Sequence, residues 1–233
     1  MSLQIKLFAD GADLEHILRL AADERIRGFT TNPTLMWKAG LTDYTVFCRR
    51  LLEEITDRPI SFEVFADEPD EIRRQARTIA AWGPNVYVKV PVTTTRGESL
   101  APVVRDLSAD GVQVNVTALF TPRQVAEITD AVADGAPSCI SVFAGRIADT
   151  GRDPLPVMRE ALEIMRATGS ELIWASPREV LNVVQADEIG CDIITCTADI
   201  LAKLDTLGKD LDQFSLETVQ MFHRDATTAG FTL

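Results

Sequence analysis

Histidine is almost absent from this chain: His16 and His223 are the only two in 233 residues, and they lie far apart. A multi-histidine metal centre, or two imidazole ligands on one helix, cannot be assembled from them, so most zinc-hydrolase and metal-dependent aldol-cleaving schemes lose their ligands. Cysteine is scarce as well. Cys48, Cys139, Cys191 and Cys196 form no C-x-x-C pair and sit inside apolar runs, which suits reduced, packed thiols and a cytoplasmic home better than disulfides. Positive charge is the minority sign, with 23 Lys plus Arg against 35 Asp plus Glu and a net charge of −12. No broad positive field exists to draw in a nucleic-acid backbone or an anionic membrane, although a few arginines at one mouth can still dominate locally. No apolar run approaches the ~20 residues that span a bilayer, and the opening MSLQIKLFAD has no basic stretch followed by an apolar one. No export signal or membrane anchor is therefore expected. Linkers rich in Pro, Gly or Ser are missing too, so residues 1–233 read as one domain.

What is present is an alternation. Short β-branched runs recur as IKLFA (5–9), GFTT (28–31), ISFEVFA (60–66), VYVKVPV (86–92), VQVNVTAL (112–119), CISVFA (139–144), ELIWA (171–175) and DIITCT (192–197). Each is followed by an amphipathic helical pattern, such as DLEHILRLAADER after the first and PLPVMREALEIMRAT after the sixth. Strand–helix alternation demands parallel strands with crossover helices, and eight such units close naturally into a (β/α)8 TIM barrel. An open doubly wound sheet is the alternative. A further helix, SLETVQMFHRDATTAG (215–230), is left over, with Val219, Phe222 and Ala226 at helical spacing; it covers its own barrel or docks on another subunit.

In such a barrel the functional groups come from the C-terminal ends of the strands. Those positions hold Asp10; Thr30, Thr31 and Asn32; Glu63; Lys89; Asn115 and Thr117; Ser141 and Arg146; and Ser176 and Arg178. Each has an ordinary structural use: Asp10 and Asn32 can cap helices, Thr and Ser can satisfy local backbone groups, and Arg146 can pair with Asp149. Lys89 is harder to explain that way. It interrupts VYVKVPV, a run that a parallel barrel buries on both faces, and Glu63 interrupts the preceding strand run similarly. Two opposite charges facing the same desolvation cost mark either a structural ion pair or a reactive site. An amine that water does not solvate keeps a neutral fraction able to attack a ketone and form a Schiff base. A carboxylate such as Asp10 suits the accompanying proton transfer. ASPRE (175–179) matches the capping box S-x-x-E with Pro at the first helical position, and a helix start beside an arginine is also a phosphate site.

These segments together carry a likeness. GFTTNPTL, KVPVT, NVTALFTPRQV, SVFAGRIAD and ASPRE resemble, in order and spacing, the transaldolase family of class I aldolases over roughly residues 5–230. The resemblance implies a Schiff base on Lys89, Asp10 as acid/base, and a catalytic water held by Glu63 and Thr117. It implies a substrate pocket of Thr31, Asn32, Asn115, Ser141 and Phe143, with the phosphate held by Arg146, Ser176 and Arg178. The reaction implied moves a dihydroxyacetone unit from fructose 6-phosphate to an aldose phosphate such as erythrose 4-phosphate, with no cofactor and no metal. Fructose 6-phosphate aldolases of the family carry Gln where this chain has Glu63 and Tyr where it has Phe143, which favours the transferase over release of free dihydroxyacetone. Gly11, and a KVPVTTTRGE segment one residue longer than in short relatives, keep a non-catalytic sugar-phosphate-binding protein as the other alternative. Short members assemble into decamers through C-terminal helices, so a homo-oligomer is expected.

Overall fold

A computed structural model describes residues 3–232. Eight strands, β1 (Lys6–Asp10), β2 (Ile26–Thr30), β3 (Ile60–Glu63), β4 (Val86–Pro91), β5 (Val114–Leu119), β6 (Ser138–Val142), β7 (Glu171–Trp174) and β8 (Ile193–Cys196), pair in sequence order and all in parallel. β8 returns to β1 and closes the barrel. The expected (β/α)8 barrel is what forms, and the open sheet is excluded.

Period-two patterning explains how each strand faces two ways. On β4, Val86, Val88 and Val90 are buried beneath the helices, whereas Tyr87 packs against the barrel-interior cluster of Phe8, Cys139, Ile173, Ala175 and Ile193, and Lys89 and Pro91 line the central cavity. A valine fully removed from water contributes about 1.5–3 kcal/mol, so this outer row holds the strand and leaves the inner row free for chemistry. Phe8 forms part of the floor. Its ring lies across Gly28 of β2, where an added Cβ would come within 2.4 Å of Cζ.

Helices cover the outside: α1 (Leu14–Ala21), α2 (Pro33–Lys38), α3 (Tyr44–Glu54), α4 (Pro69–Ala80), α5 (Ala101–Ala109), α6 (Pro122–Val132), α7 (Ala144–Asp149), α8 (Leu155–Met165), α9 (Val180–Glu188) and α10 (Ala198–Lys203). Their starts follow local chemistry. Asn32 and Asp43 accept the backbone N–H of Leu35 and Val46 at 2.8 and 2.9 Å, and Thr121 forms a capping box with Gln124, the partners that orphan first-turn N–H groups require. Asp10 caps nothing; Asp13 caps α1 instead.

Three expectations are corrected. β3 ends at Glu63 rather than at residue 66: Val64 N–H still reaches the Lys89 carbonyl, but the N–H groups of Phe65 and Ala66 go to the Gln75 side chain instead of β4, and Phe65 is exposed. α9 starts at Val180, not at Pro177. Ser176 adopts φ 58°, and the side chain of Asn182 takes the N–H groups of Arg178 and Glu179, so S-P-R-E does not act as a capping box. The last helix, α11, spans Leu211–Ala229 rather than 215–230, opened by Asp210 and closed by Gly230 at φ 70°. It buries no residue, and Leu211, Val219 and Phe222 are exposed; the barrel does not cover this apolar row. All four cysteines are buried and free. Among the described residues no helix is long and apolar enough to cross a membrane.

Candidate active site

Strand register assembles the site. Glu63 pairs with Lys89, and Lys89 with Asn115, so three polar residues stand side by side on β3, β4 and β5; Asp10 pairs with Thr30 across β1 and β2. Above them opens a cavity of about 680 Å³ at the C-terminal ends of the strands. It is lined by Asp10, Asn32, Glu63, Lys89, Thr117, Ser141, Phe143, Arg146 and Ser176, among others. That places nine of the twelve candidate residues around one space.

Lys89 does not snorkel to solvent. Its side chain is 10% exposed, and Nζ donates to the Thr31 carbonyl at 2.6 Å with Glu63 Oε1 at 3.5 Å. Glu63 is buried, with Oε2 2.9 Å from Thr31 Oγ1 and 3.4 Å from Tyr44 Oη. Desolvation pushes the Glu63 carboxyl above the usual carboxylate range, and the Lys89 ammonium opposes it. Asp10 is also raised by burial, against the pull of Lys89 and two donors, Thr30 Oγ1 at 2.8 Å and Asn32 Nδ2 at 3.0 Å. Thr30 in turn contacts Thr195 Oγ1 at 2.6 Å. A buried amine beside two carboxyls of perturbed proton affinity is an arrangement suited to nucleophilic and acid/base chemistry.

The far wall is set by a backbone irregularity and a chain of buried side-chain hydrogen bonds. β5 is irregular between Val116 and Leu119, with Ala118 at φ 64°. This bulge lies beside Thr117, whose Oγ1 is buried with no hydrogen-bond partner; Glu63 Oε1 likewise accepts no hydrogen bond and has only the Lys89 ion pair at 3.5 Å. Bulges next to functional sites commonly re-aim a side chain. Ser141 donates to Asn115 Oδ1 at 2.7 Å, and Asn115 donates to Ser61 Oγ at 3.0 Å. Asn115 is fully buried and supports Ser141 from behind rather than lining the cavity.

Two more candidates lie outside the cavity lining. Thr31 is fully buried and faces Glu63. Arg178 is held by Asp149, Nε to Oδ1 at 2.9 Å. Arg146, the residue first considered for that pair, instead stands over the Phe143 ring at 5.1 Å and has no carboxylate partner among the described residues. Tyr44, Thr195 and Thr197 were missed by the strand-end reading. The two threonines sit at the end of β8 and obey the same rule as the others; Tyr44 is on a helix and leaves no such signal.

Fold and site define a (β/α)8 barrel enzyme with a buried lysine and paired acids at the strand ends. Residues 7–233 match the family described as transaldolase/fructose-6-phosphate aldolase, and the chain belongs to that family. It is 33% identical over 202 residues to a probable transaldolase of Dehalococcoides mccartyi, covering 86% of this chain and 90% of that one. It is 36% identical over 222 residues to a probable transaldolase of Streptococcus agalactiae, covering 90% and 99%. In fold it is similar to a deoxyribose phosphate aldolase from Aeropyrum pernix, with TM-score 0.61, 15% identity and coverage of 87% and 90%.

Proposed function

We propose that the protein is a transaldolase acting on sugar phosphates through a Schiff base on Lys89. The observation that carries this reading is a lysine buried at the foot of an open cavity, with Glu63 beside it and Asp10 on the same lining. Neutral Nζ attacks the C2 carbonyl of fructose 6-phosphate, and loss of water from the carbinolamine gives an iminium. Asp10 takes the C4 hydroxyl proton as the C3–C4 bond breaks, the bonding electrons pass into the iminium to form an enamine, and glyceraldehyde 3-phosphate leaves. The enamine adds to the aldehyde carbon of erythrose 4-phosphate, and hydrolysis returns sedoheptulose 7-phosphate and the free lysine.

Glu63 Oε1 and Thr117 Oγ1, two buried oxygens on the cavity lining with no hydrogen-bond partner of their own, suit a water that relays protons at the carbinolamine. Asn32 and Ser141 serve the dihydroxyacetone hydroxyls, and Asn115 holds Ser141 in place. Arg146 and Ser176 face the phosphate end, and Arg178 joins them by exchanging Asp149 for phosphate. Phe143 brings no hydroxyl to the water, which favours transfer over hydrolytic release. The exposed apolar row of α11 fits a partner subunit in a homo-oligomer such as a decamer. The setting that suits these buried free thiols is the cytoplasm.

A coupled assay with and without acceptor tests the reading. Glyceraldehyde 3-phosphate should accumulate catalytically only when erythrose 4-phosphate is supplied. Multiple turnovers with donor alone, releasing dihydroxyacetone, would overturn transfer in favour of the free aldolase.

A further inference from the structure

Glu63 is held by two hydroxyl groups, and each has a second acceptor within reach. Thr31 Oγ1 lies 2.9 Å from Glu63 Oε2 and 2.9 Å from the Ser61 carbonyl oxygen. Tyr44 Oη accepts the Glu63 N–H at 2.7 Å, and its own proton has two destinations, Glu63 Oε2 at 3.4 Å and the Glu63 carbonyl at 3.1 Å. One hydroxyl carries one proton, so neither can donate to both acceptors at once. Two patterns place both hydroxyl protons on an acceptor. With Glu63 ionised, both hydroxyl protons turn to Oε2. With Glu63 neutral, its own Oε2–H donates to Thr31 Oγ1, Thr31 donates to Ser61, and Tyr44 donates to the Glu63 carbonyl. No heavy atom has to move between them.

We propose that Thr31 and Tyr44 are positioning residues whose hydroxyls re-aim between the Glu63 carboxyl and a backbone carbonyl, so that Glu63 gains and loses a proton without shifting beside Lys89. The inference rests on the Schiff-base reading, in which carbinolamine formation and dehydration need an acid and a base at the same place in turn. Without this arrangement one protonation state would leave a buried polar group unpaired, a bias of about 5- to 150-fold against that state. At Asp10 only one of the two donors can re-aim: Thr30 Oγ1 also reaches Thr195 Oγ1 at 2.6 Å, whereas the Asn32 amide N–H donates and cannot accept in return.

The surroundings of Glu63 are accounted for from every side. Lys89 of β4 and Asp10 of β1 act on its charge from within the barrel, and Tyr44 and Cys48 of α3 face it from behind. Arg74 of α4 shares a cavity of about 130 Å³ with Glu63 and Tyr44, and its guanidinium is engaged by Glu71. Tyr44 is fixed by Phe65, Phe62 and Trp82, with ring centroids 4.6, 6.5 and 6.1 Å away, and burial keeps its phenol un-ionised. It therefore offers a proton donor throughout the working pH range. Its hydroxyl is the part of the residue that the packing does not use.

The test titrates Glu63 directly by infrared difference spectroscopy of its carboxyl band, assigned by its loss in Glu63→Gln. The proteins compared are wild type, Tyr44→Phe, Thr31→Val and Thr31→Ser. Charge-assisted bonds are about twice as strong as neutral ones, so removing either hydroxyl penalises the ionised form more. The midpoint should rise by about half to one pH unit in Tyr44→Phe and Thr31→Val, and return to the wild-type value in Thr31→Ser, which keeps the hydroxyl. The pH profile of kcat should follow, with KM for the sugar phosphate within about twofold. Folded variants with unmoved midpoints, or a Thr31→Ser shift as large as that of Thr31→Val, would overturn the proposal. The titration needs no substrate, so a wild-type protein that never forms an adduct on Lys89 sinks the Schiff-base reading and leaves the hydroxyl pair to be decided on its own.

Discussion

Gly145 offers the sharpest perturbation of the proposed phosphate end without touching the lysine. A Cβ built there falls 1.5 Å from the Ser176 carbonyl oxygen and 2.6 Å from its carbon. Ordinary contact needs about 3.4 Å, so Gly145→Ala forces α7 and the segment after β7 apart by roughly 2 Å. Overpacking of this kind costs about 1–3 kcal/mol. The same movement breaks the bond from Gly145 N–H to Ala175 O, now 3.3 Å, worth about another 0.5–1.5 kcal/mol. A total of about 2–4 kcal/mol lowers Tm by roughly 5–15 °C for a chain of this size. Ser176 and Arg146 move with these elements, and a misplacement of this order costs about 100-fold in kcat/KM for a phosphorylated donor. Reaction of Lys89 with unphosphorylated dihydroxyacetone should change less than about threefold. Differential scanning calorimetry and parallel kinetics on the two substrates measure both quantities. A variant with unchanged Tm and unchanged kcat/KM for fructose 6-phosphate would refute the claim that this contact sets the phosphate end.

Glu63→Gln should alter the pH dependence of stability. Burial raises the Glu63 carboxyl above its ordinary 4.5, and a group whose folded value is raised contributes stability that is present at low pH and lost as pH rises through that value. Urea midpoints of wild type should therefore fall from pH 4.5 to pH 8 more steeply than those of Glu63→Gln; parallel curves would show that the carboxyl is not perturbed. Asp10→Asn, which keeps the side-chain size, should lower kcat by about 10²–10⁴-fold while the adduct on Lys89 still forms, as read by single-turnover trapping. Arg146→Ala should raise KM for the phosphorylated donor about 10- to 100-fold, the loss of one charge-assisted bond, with kcat little changed. Asp149→Asn releases Arg178 from its pair and should lower the same KM.

The barrel was legible because its strands obey a simple rule. In VYVKVP the outward positions are all valine, so the inward position of Lys89 follows from alternation alone, and parallel pairing then sets Glu63 and Asn115 beside it. Burial on both faces made an ion there conspicuous. Contacts between loops were not legible. The S-P-R-E segment satisfies a local capping rule, yet Ser176 is left-handed where its carbonyl lies close against Gly145, and α9 starts only at Val180. The choice of Arg178 over Arg146 by Asp149 likewise depends on how two loops meet. Thr31 reads as one more strand-end hydroxyl, but the turn after β2 sends its side chain onto Glu63 and its carbonyl onto Lys89. Tyr44 reaches the site from a helix, across nineteen positions of sequence, where strand periodicity says nothing. α11 shows an apolar row in sequence and keeps it exposed in the fold, where none of its residues is buried.

The most direct measurement is borohydride reduction of the protein in the presence of fructose 6-phosphate, followed by peptide mass mapping. The expected result is a single reduced dihydroxyacetone adduct on Lys89, abolished by Lys89→Met. Absence of any adduct at that lysine, or its appearance on a different one, would contradict the assignment of the buried Lys89 amine as the nucleophile.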